Sequence, residues 1–383
     1  MAALHAAPTV LVAGHICLDL TPALGGPPAL EPGRLIEVGP AAAGAGGAVG
    51  NTGVALHRLG IPVRLIAKVG DDVFGRSLRD TLEREGTGLA DGLITAPAQA
   101  TSYSIVISPP GVDRSFLHCP GANDAFLAAD VHPAELRRAR LLHFGYPPLM
   151  PAMYADDGAQ LQALFATAQA AGLATSLDVS RPDPHGPAGR ADWTAILEHV
   201  LPCVDVFLPS ADELRFMLRT PEGALDRALL SDLGGRLIEL GVAVAAIKLG
   251  DQGLYVRTAA GARIAAFCER LELDAAAWAG RELLSPCFLP RHVAGTTGCG
   301  DCTIAGFLAA LVRGDGPAAA ATAATAVGAC SVEAAHGTDG VAPWPRIAGR
   351  LAQGWRRAPL TLDLGPAQER DEDASGTLTF TAP

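Results

Sequence analysis

Short aliphatic, β-prone runs alternate with Ala- and Leu-rich helical stretches along most of this 383-residue chain, and that alternation limits the possible folds more than any other feature. The strand-like runs are Pro62–Lys68, Arg140–Phe144, Ala174–Val179, Val204–Leu208 and Val242–Lys248. Helical stretches fall among them at 73–85, 156–171, 192–200, 211–218 and 226–240. Parallel neighbours need a crossover connection, and a helix supplies one. The expectation is an α/β chain: a mostly parallel central sheet with helices on both faces and ligands at the carboxyl ends of its strands. The apolar run Pro8–Gly14 reads as a buried first strand. It is too short to span a membrane and has no basic flank.

Two regions interrupt the rhythm. Residues 21–40 are rich in Pro and Gly and close on Arg34–Val38, while 101–118 carries a hairpin signal around Pro109-Pro110-Gly111-Val112-Asp113. Antiparallel pieces inserted into a parallel sheet imply a small β layer, which over the ligand end would act as a lid. Beyond about Pro359 apolar residues thin out around the charged run Gln368–Asp373, so 359–383 is expected to be a mobile tail.

The densest chemical signal is Gly295-Thr-Thr-Gly298-Cys299-Gly300-Asp301, followed by the helical pattern Ile304, Phe307, Leu308, Leu311. Such a turn aims backbone N–H groups at one point on a helix N-terminus, a site for an anion. An acid beside bound phosphate needs a reason to be there. A general base that takes the proton of an attacking hydroxyl supplies one. Equally, the stretch reads as a Gly-rich helix start capped by Asp301. Cys299 and Cys302 form a C-x-x-C without the second pair that zinc would want. At a helix N-terminus the Cys299 thiol is expected to have a lowered pKa and to be oxidation-sensitive.

A second Gly-rich segment, Gly44-Ala-Gly46-Gly47-Ala-Val-Gly50-Asn51, precedes another helical pattern. It lacks the third glycine of a dinucleotide fingerprint, and no P-loop occurs in the chain. Adjacent glycines followed by an amide suit hydrogen bonding to neutral hydroxyls; a plain flexible loop is the competing reading. The charge balance of 29 basic to 40 acidic residues, net −11, and the lack of a basic stripe with aromatics exclude nucleic acid as the expected partner. The eight cysteines lie scattered, several in apolar runs, as in a reduced cytoplasmic protein.

Taken in order from residue 8 to about 345, these segments resemble the ribokinase-like (PfkB) carbohydrate kinase family. Gly14–Asp19 is similar to the first strand, whose terminal aspartate grips substrate hydroxyls. Gly46, Gly47 and Asn51 match the first signature, and Gly298–Asp301 resembles the second. Ser210–Glu213 looks like the segment whose acid organises Mg²⁺ through water, and Lys248, Gly250 and Gly253 like the nucleotide-contacting strand end. The resemblance implies a ribokinase-like kinase domain over 8–355, with lid segments at about 20–40 and 100–120. It implies ATP and Mg²⁺, Asp301 as base, Gly298, Cys299 and Gly300 as anion hole, and Asp19, Gly46, Gly47 and Asn51 at the substrate. It assigns Ser210, Lys248, Gly250 and Gly253 to the nucleotide, Glu213 to the metal's waters, and a homodimer through the lid.

The departures are specific. Ser210 stands where asparagine is usual, and Gly295 replaces the aspartate near the monovalent-cation site, leaving that ion open. Cys299 replaces alanine, and Val49 and Gly53 are off-pattern. A sugar phosphate would want two basic side chains at the lid, where Arg34 and Arg114 are the candidates and Arg114 is expected to face solvent. A nucleoside would want stacking rings beyond Tyr103 and Phe116. A neutral sugar or small polyol therefore leads. The alternatives are a nucleoside kinase and a sugar- or nucleotide-binding regulatory protein with reduced activity.

Overall fold

The computed structural model describes residues 10–111, 114–220, 223–366 and 370–380. The expected strand residues Pro8 and Thr9, the hairpin turn at Val112-Asp113 and Gln368-Glu369 of the tail lie outside them. Among the described residues one sheet holds 11 strands. From one edge they run Arg370–Glu372, Leu378–Phe380, Glu282–Ser285, Leu254–Thr258, Val244–Lys248, Val206–Phe207, Ala174–Asp178, Leu141–Gly145, Val10–Gly14, Val63–Gly70 and Leu93–Ala96. Strands from Val244–Lys248 to Leu93–Ala96 are parallel, and the remainder pair antiparallel. The α/β architecture expected from the alternation, a mostly parallel central sheet, is present.

The first strand shows why the sheet is central. Val10 and Val12 pack into the core on one face, Leu11 and Ala13 into the core on the other, and all four are fully buried. A strand covered on both faces has to be apolar at every position, which is why Val10–Gly14 reads as a continuous run. Helices fall close to the expected stretches, at Val73–Glu85, Ala159–Ala170, Trp193–Val200, Ala211–Met217 and Arg227–Glu239. Asp72 and Asp226 start two of them by accepting the Gly75 and Leu229 N–H groups.

The antiparallel pieces form a separate four-stranded sheet, in the order Ala41–Gly46, Cys17–Pro22, Tyr103–Ile107 and Ser115–Cys119. Asp19 thus lies inside a lid strand, opposite Gly44, and not at the end of the first strand. Main-sheet pairing stops at Gly14, and the chain then leaves to build the lid. Residues 23–40 form no strand and expose Leu35 and Val38.

Within the stretch 359–383, expected to be a mobile tail, the described residues include the strands Arg370–Glu372 and Leu378–Phe380. Leu378–Phe380 pairs with Glu282–Ser285 and buries Leu378 and Phe380. Its outer side pairs in turn with the edge strand Arg370–Glu372, so two apolar side chains at alternate positions seat a strand even where the flanking composition is polar.

Candidate active site

The neighbouring strands Val10–Gly14 and Leu141–Gly145 end in register, with Gly14 opposite Gly145. The chain crosses from Val10–Gly14 to the neighbour on its other side, so the carboxyl ends of these two strands border a switch point, where open α/β sheets leave a crevice. His15 and Tyr146 are the next residues on each strand, with rings 6.1 Å apart. Tyr146 is held in the left-handed region at φ 66, a conformation that costs an ordinary residue about 1 kcal/mol or more. Its hydroxyl donates to Asp301 Oδ2 at 2.8 Å.

Asp301 sits in the first turn of helix Cys299–Val312. The helix begins at Gly298, whose φ of 74 suits glycine and turns the chain so that the first amides face the crevice. The Cys299 N–H donates to Thr296 O at 3.2 Å, so the Gly298 and Gly300 amides are the better placed donors for an anion. Asp301 Oδ2 also accepts from Asn51 Nδ2 at 2.9 Å, and Oδ1 from Thr52 Oγ1 at 3.3 Å. Burial pushes the carboxyl up to about 6, against the opposing pull of Tyr146, Lys248, Asn51 and Thr52. A carboxylate in that range is ionised at neutral pH yet basic enough to accept a proton in a transition state.

On one side of Asp301 lies the lid. The Asp19 carboxylate fills the space where a side chain at Gly46 would stand, and it accepts from Cys17 Sγ at 3.2 Å. Burial raises its pKa. Ser104 Oγ and His118 Nδ1 are 3.0 Å apart, and His118 Nε2 lies 3.4 Å from His15 Nε2. Burial, reinforced by His118, pushes His15 down to about 3, and burial lowers His118 as well. Arg114, expected to face solvent, instead lines the crevice and donates to Thr296 Oγ1 at 2.7 Å. Arg114 stands at the turn end of the hairpin, one residue before the Ile107–Ser115 pair, and there it meets the Gly295–Gly298 stretch.

On the other side lie Lys248, Ser210 and Glu213. Lys248 is not a solvated strand end: its ammonium meets the Asp178 carboxylate at 2.6 Å, and Asp178 is 1% exposed. Burial drives the Asp178 carboxyl up. Burial would lower Lys248, but Asp178 and Glu213 outweigh it and raise the ammonium. Ser210 and Glu213 form a capping box, with Ser210 Oγ accepting the Glu213 N–H at 3.2 Å. The Cys299 thiol is pushed up by burial, against the expected lowering, because desolvation of a thiolate outweighs the helix terminus.

All the candidate residues except Gly46 line one cleft of about 820 Å³, a volume fit for two small substrates end to end. Asp301 stands between the lid end and the Lys248 end. Residues 7–344 match the family described as pfkB family carbohydrate kinase. The chain belongs to that family. This kinase is 26% identical to an uncharacterized sugar kinase of Archaeoglobus fulgidus over 68% of its own length and 86% of the relative's. It is 28% identical to fructokinase-2 of Oryza sativa over 56% of its own length, spanning 62% of that protein. Its fold matches the Arabidopsis thaliana ribokinase complexed with ribose and ATP with a TM-score of 0.71, at 19% identity over 90% of this chain and 98% of that one.

Sequence reasoning missed Tyr146, Thr52, His15, His118 and Asp178 as members of this kinase's site. A signal was present for three of them. His15, Tyr146 and Asp178 stand at or just beyond the carboxyl ends of parallel strands, where α/β sheets place function. Among the described residues no helix is long and apolar enough to cross a membrane.

Proposed function

We propose that this kinase transfers the γ-phosphoryl group of ATP to a hydroxyl of a neutral sugar or small polyol held under the lid. The observation that carries the reading is the position of Asp301, between an Asp- and Asn-lined lid end and the amides of Gly298 and Gly300. Asp19 and Asn51 would orient the acceptor's hydroxyls. Asp301 would take the proton of the attacking hydroxyl as its oxygen bonds to phosphorus and the bond to the ADP oxygen breaks. General-base help of this kind is typically worth about two to four powers of ten. The Gly298 and Gly300 amides would receive the transferring group's charge, with Lys248 beside them.

Mg²⁺ fits the donor set. Among the residues lining the cleft the acids Asp19, Asp178, Glu213, Asp251 and Asp301 outnumber the cations Arg114, Arg181 and Lys248, so the cleft favours a further cation. Among the described residues no group of three or more metal-ligating side chains stands close enough to cage an ion. Glu213 and Asp178 would reach such an ion through water, with phosphate oxygens supplying further ligands. The ion would supply charge neutralisation to the phosphates.

A neutral acceptor is favoured because Arg34 pairs with Glu31 in the exposed 23–40 segment, which leaves Arg114 as the basic side chain at the lid end among the described residues. A nucleoside is the second reading, favoured by the rings of His15, Phe116, His118 and Tyr146 along that wall. ATP consumption with Mg²⁺ across free sugars, polyols, sugar acids, sugar phosphates and nucleosides tests both, with Asp301→Ala as control. Turnover of a neutral sugar that vanishes in the control is the expected result. Turnover confined to nucleosides, or an undiminished control, would overturn the acceptor or the base respectively.

A further inference from the structure

The family match ends at residue 344, yet the chain continues into the wall of the cleft. Ala358 lines it together with Cys287, Phe288 and Pro290, at the end away from the lid. The two segments are stitched by backbone pairs, Ala358 N to Cys287 O at 2.7 Å and Leu289 N to Arg356 O at 2.9 Å. Side chains lock the pair. Phe288 meets the Trp355 ring at 4.8 Å and the Arg357 guanidinium at 3.7 Å, and Trp355 Nε1 donates to Leu289 O at 2.7 Å. Arg350 lies over the Trp355 ring at 3.4 Å and pairs with Glu333, which also accepts the Arg291 N–H at 2.7 Å.

Arg357 is tied down further. Its guanidinium donates to Pro286 O, Ser285 Oγ, Thr325 Oγ1 and Thr322 Oγ1 at 2.5 to 3.1 Å. Burial lowers it to about 10. A charge held among hydroxyls, with a ring on its face, fixes the 286–291 loop more rigidly than loop packing alone would.

We propose that the segment Trp355–Ala358, beyond the family match, is a built-in wall of the nucleotide site, with Ala358 against the base and Trp355 and Arg357 positioning Phe288. This rests on the reading that the nucleotide lies at the end of the cleft away from the lid. With the phosphates at Gly298 and Gly300 and the acceptor under the lid, the lining at Cys287, Phe288, Pro290, Ala329 and Val332 offers the base an apolar surface. An apolar wall with rigid backing is what a flat purine face needs.

The test is ATP titration of the full-length kinase, followed by tryptophan fluorescence and by steady-state kinetics, for wild type, Ala358→Trp and Trp355→Ala. The expected result is a nucleotide-dependent fluorescence change in wild type that Trp355→Ala loses. Both substitutions should raise the KM for ATP about tenfold and leave the KM for the acceptor unchanged. A general folding defect would move both KM values or kcat. Wild-type affinity for ATP in both variants would overturn the wall while leaving the nucleotide reading intact. A wild-type kinase that neither binds nor consumes ATP would overturn the nucleotide reading and the wall with it.

Discussion

Tyr146 reaches Asp301 across 155 residues of sequence and donates its hydroxyl proton to Oδ2 at 2.8 Å. Burial raises Asp301, and this bond is the largest of the influences that hold it down. The pair sets how basic the carboxylate is, and the left-handed backbone at Tyr146 is the strain that accompanies its aim.

Tyr146→Phe should therefore move the acidic limb of the kcat/KM profile to higher pH, since the carboxylate loses a donor that favours its charged form. Turnover below pH 6 should fall about tenfold, with the KM for the acceptor nearly unchanged. A pH–rate series on both proteins checks this. An unmoved limb would mean that Tyr146 does not tune Asp301.

Asp301→Asn should make the protein more stable at neutral pH. The folded-state carboxyl titrates at about 6, above its unfolded value of 3.8, so the folded state holds its proton more tightly between those limits. Its contribution to stability accordingly falls as pH rises from 4 to 6 and then stays low. The asparagine variant escapes that cost, up to about 3 kcal/mol above pH 6, and the gap closes below pH 4. Urea melts of both proteins across this range measure the difference.

Gly46→Ala should damage acceptor binding selectively. A methyl group at that position meets the Asp19 carboxylate itself, so Asp19 has to swing out of the lid end. The KM for the acceptor should rise on the order of tenfold or more, while ATP affinity holds. Equal KM values in wild type and variant would remove Asp19 from the acceptor site.

Lys248→Met should unfold the protein more readily, not just slow it. It strips the ammonium from Asp178, a carboxylate 1% exposed, and leaves that charge without its partner. Breaking a buried pair on one side costs about 3–5 kcal/mol. The double variant with Asp178→Leu should recover most of that loss in a thermal melt, though not the turnover.

How much of this was legible beforehand follows from what each residue depends on. The alternation of runs was enough for the sheet and its helices, because a strand buried on both faces must be apolar at each position, as Val10–Ala13 is. Gly298, Gly300, Asp301, Gly46 and Asn51 stood out because their chemistry is local: glycines and an acid or amide packed into a few consecutive residues. Tyr146, Thr52 and Asp178 carry no such mark. Each is an ordinary residue whose part arises from a partner 70 to 250 residues away.

The tertiary structure also decided directions that composition read the other way. Arg114 turned inward to meet Thr296 in the Gly295–Gly298 stretch, and part of the polar tail joined the main sheet through Leu378 and Phe380. Desolvation, which a sequence does not carry, pushed the Cys299 thiol up at a helix start where the dipole alone would lower it. Periodicity and short glycine-rich spacing are properties of the chain itself, so the fold and the glycine-led helix start at Gly298 were determined by sequence alone. Burial, long-range hydrogen bonds and the contact of Trp355 with Phe288 come into being only when distant segments meet.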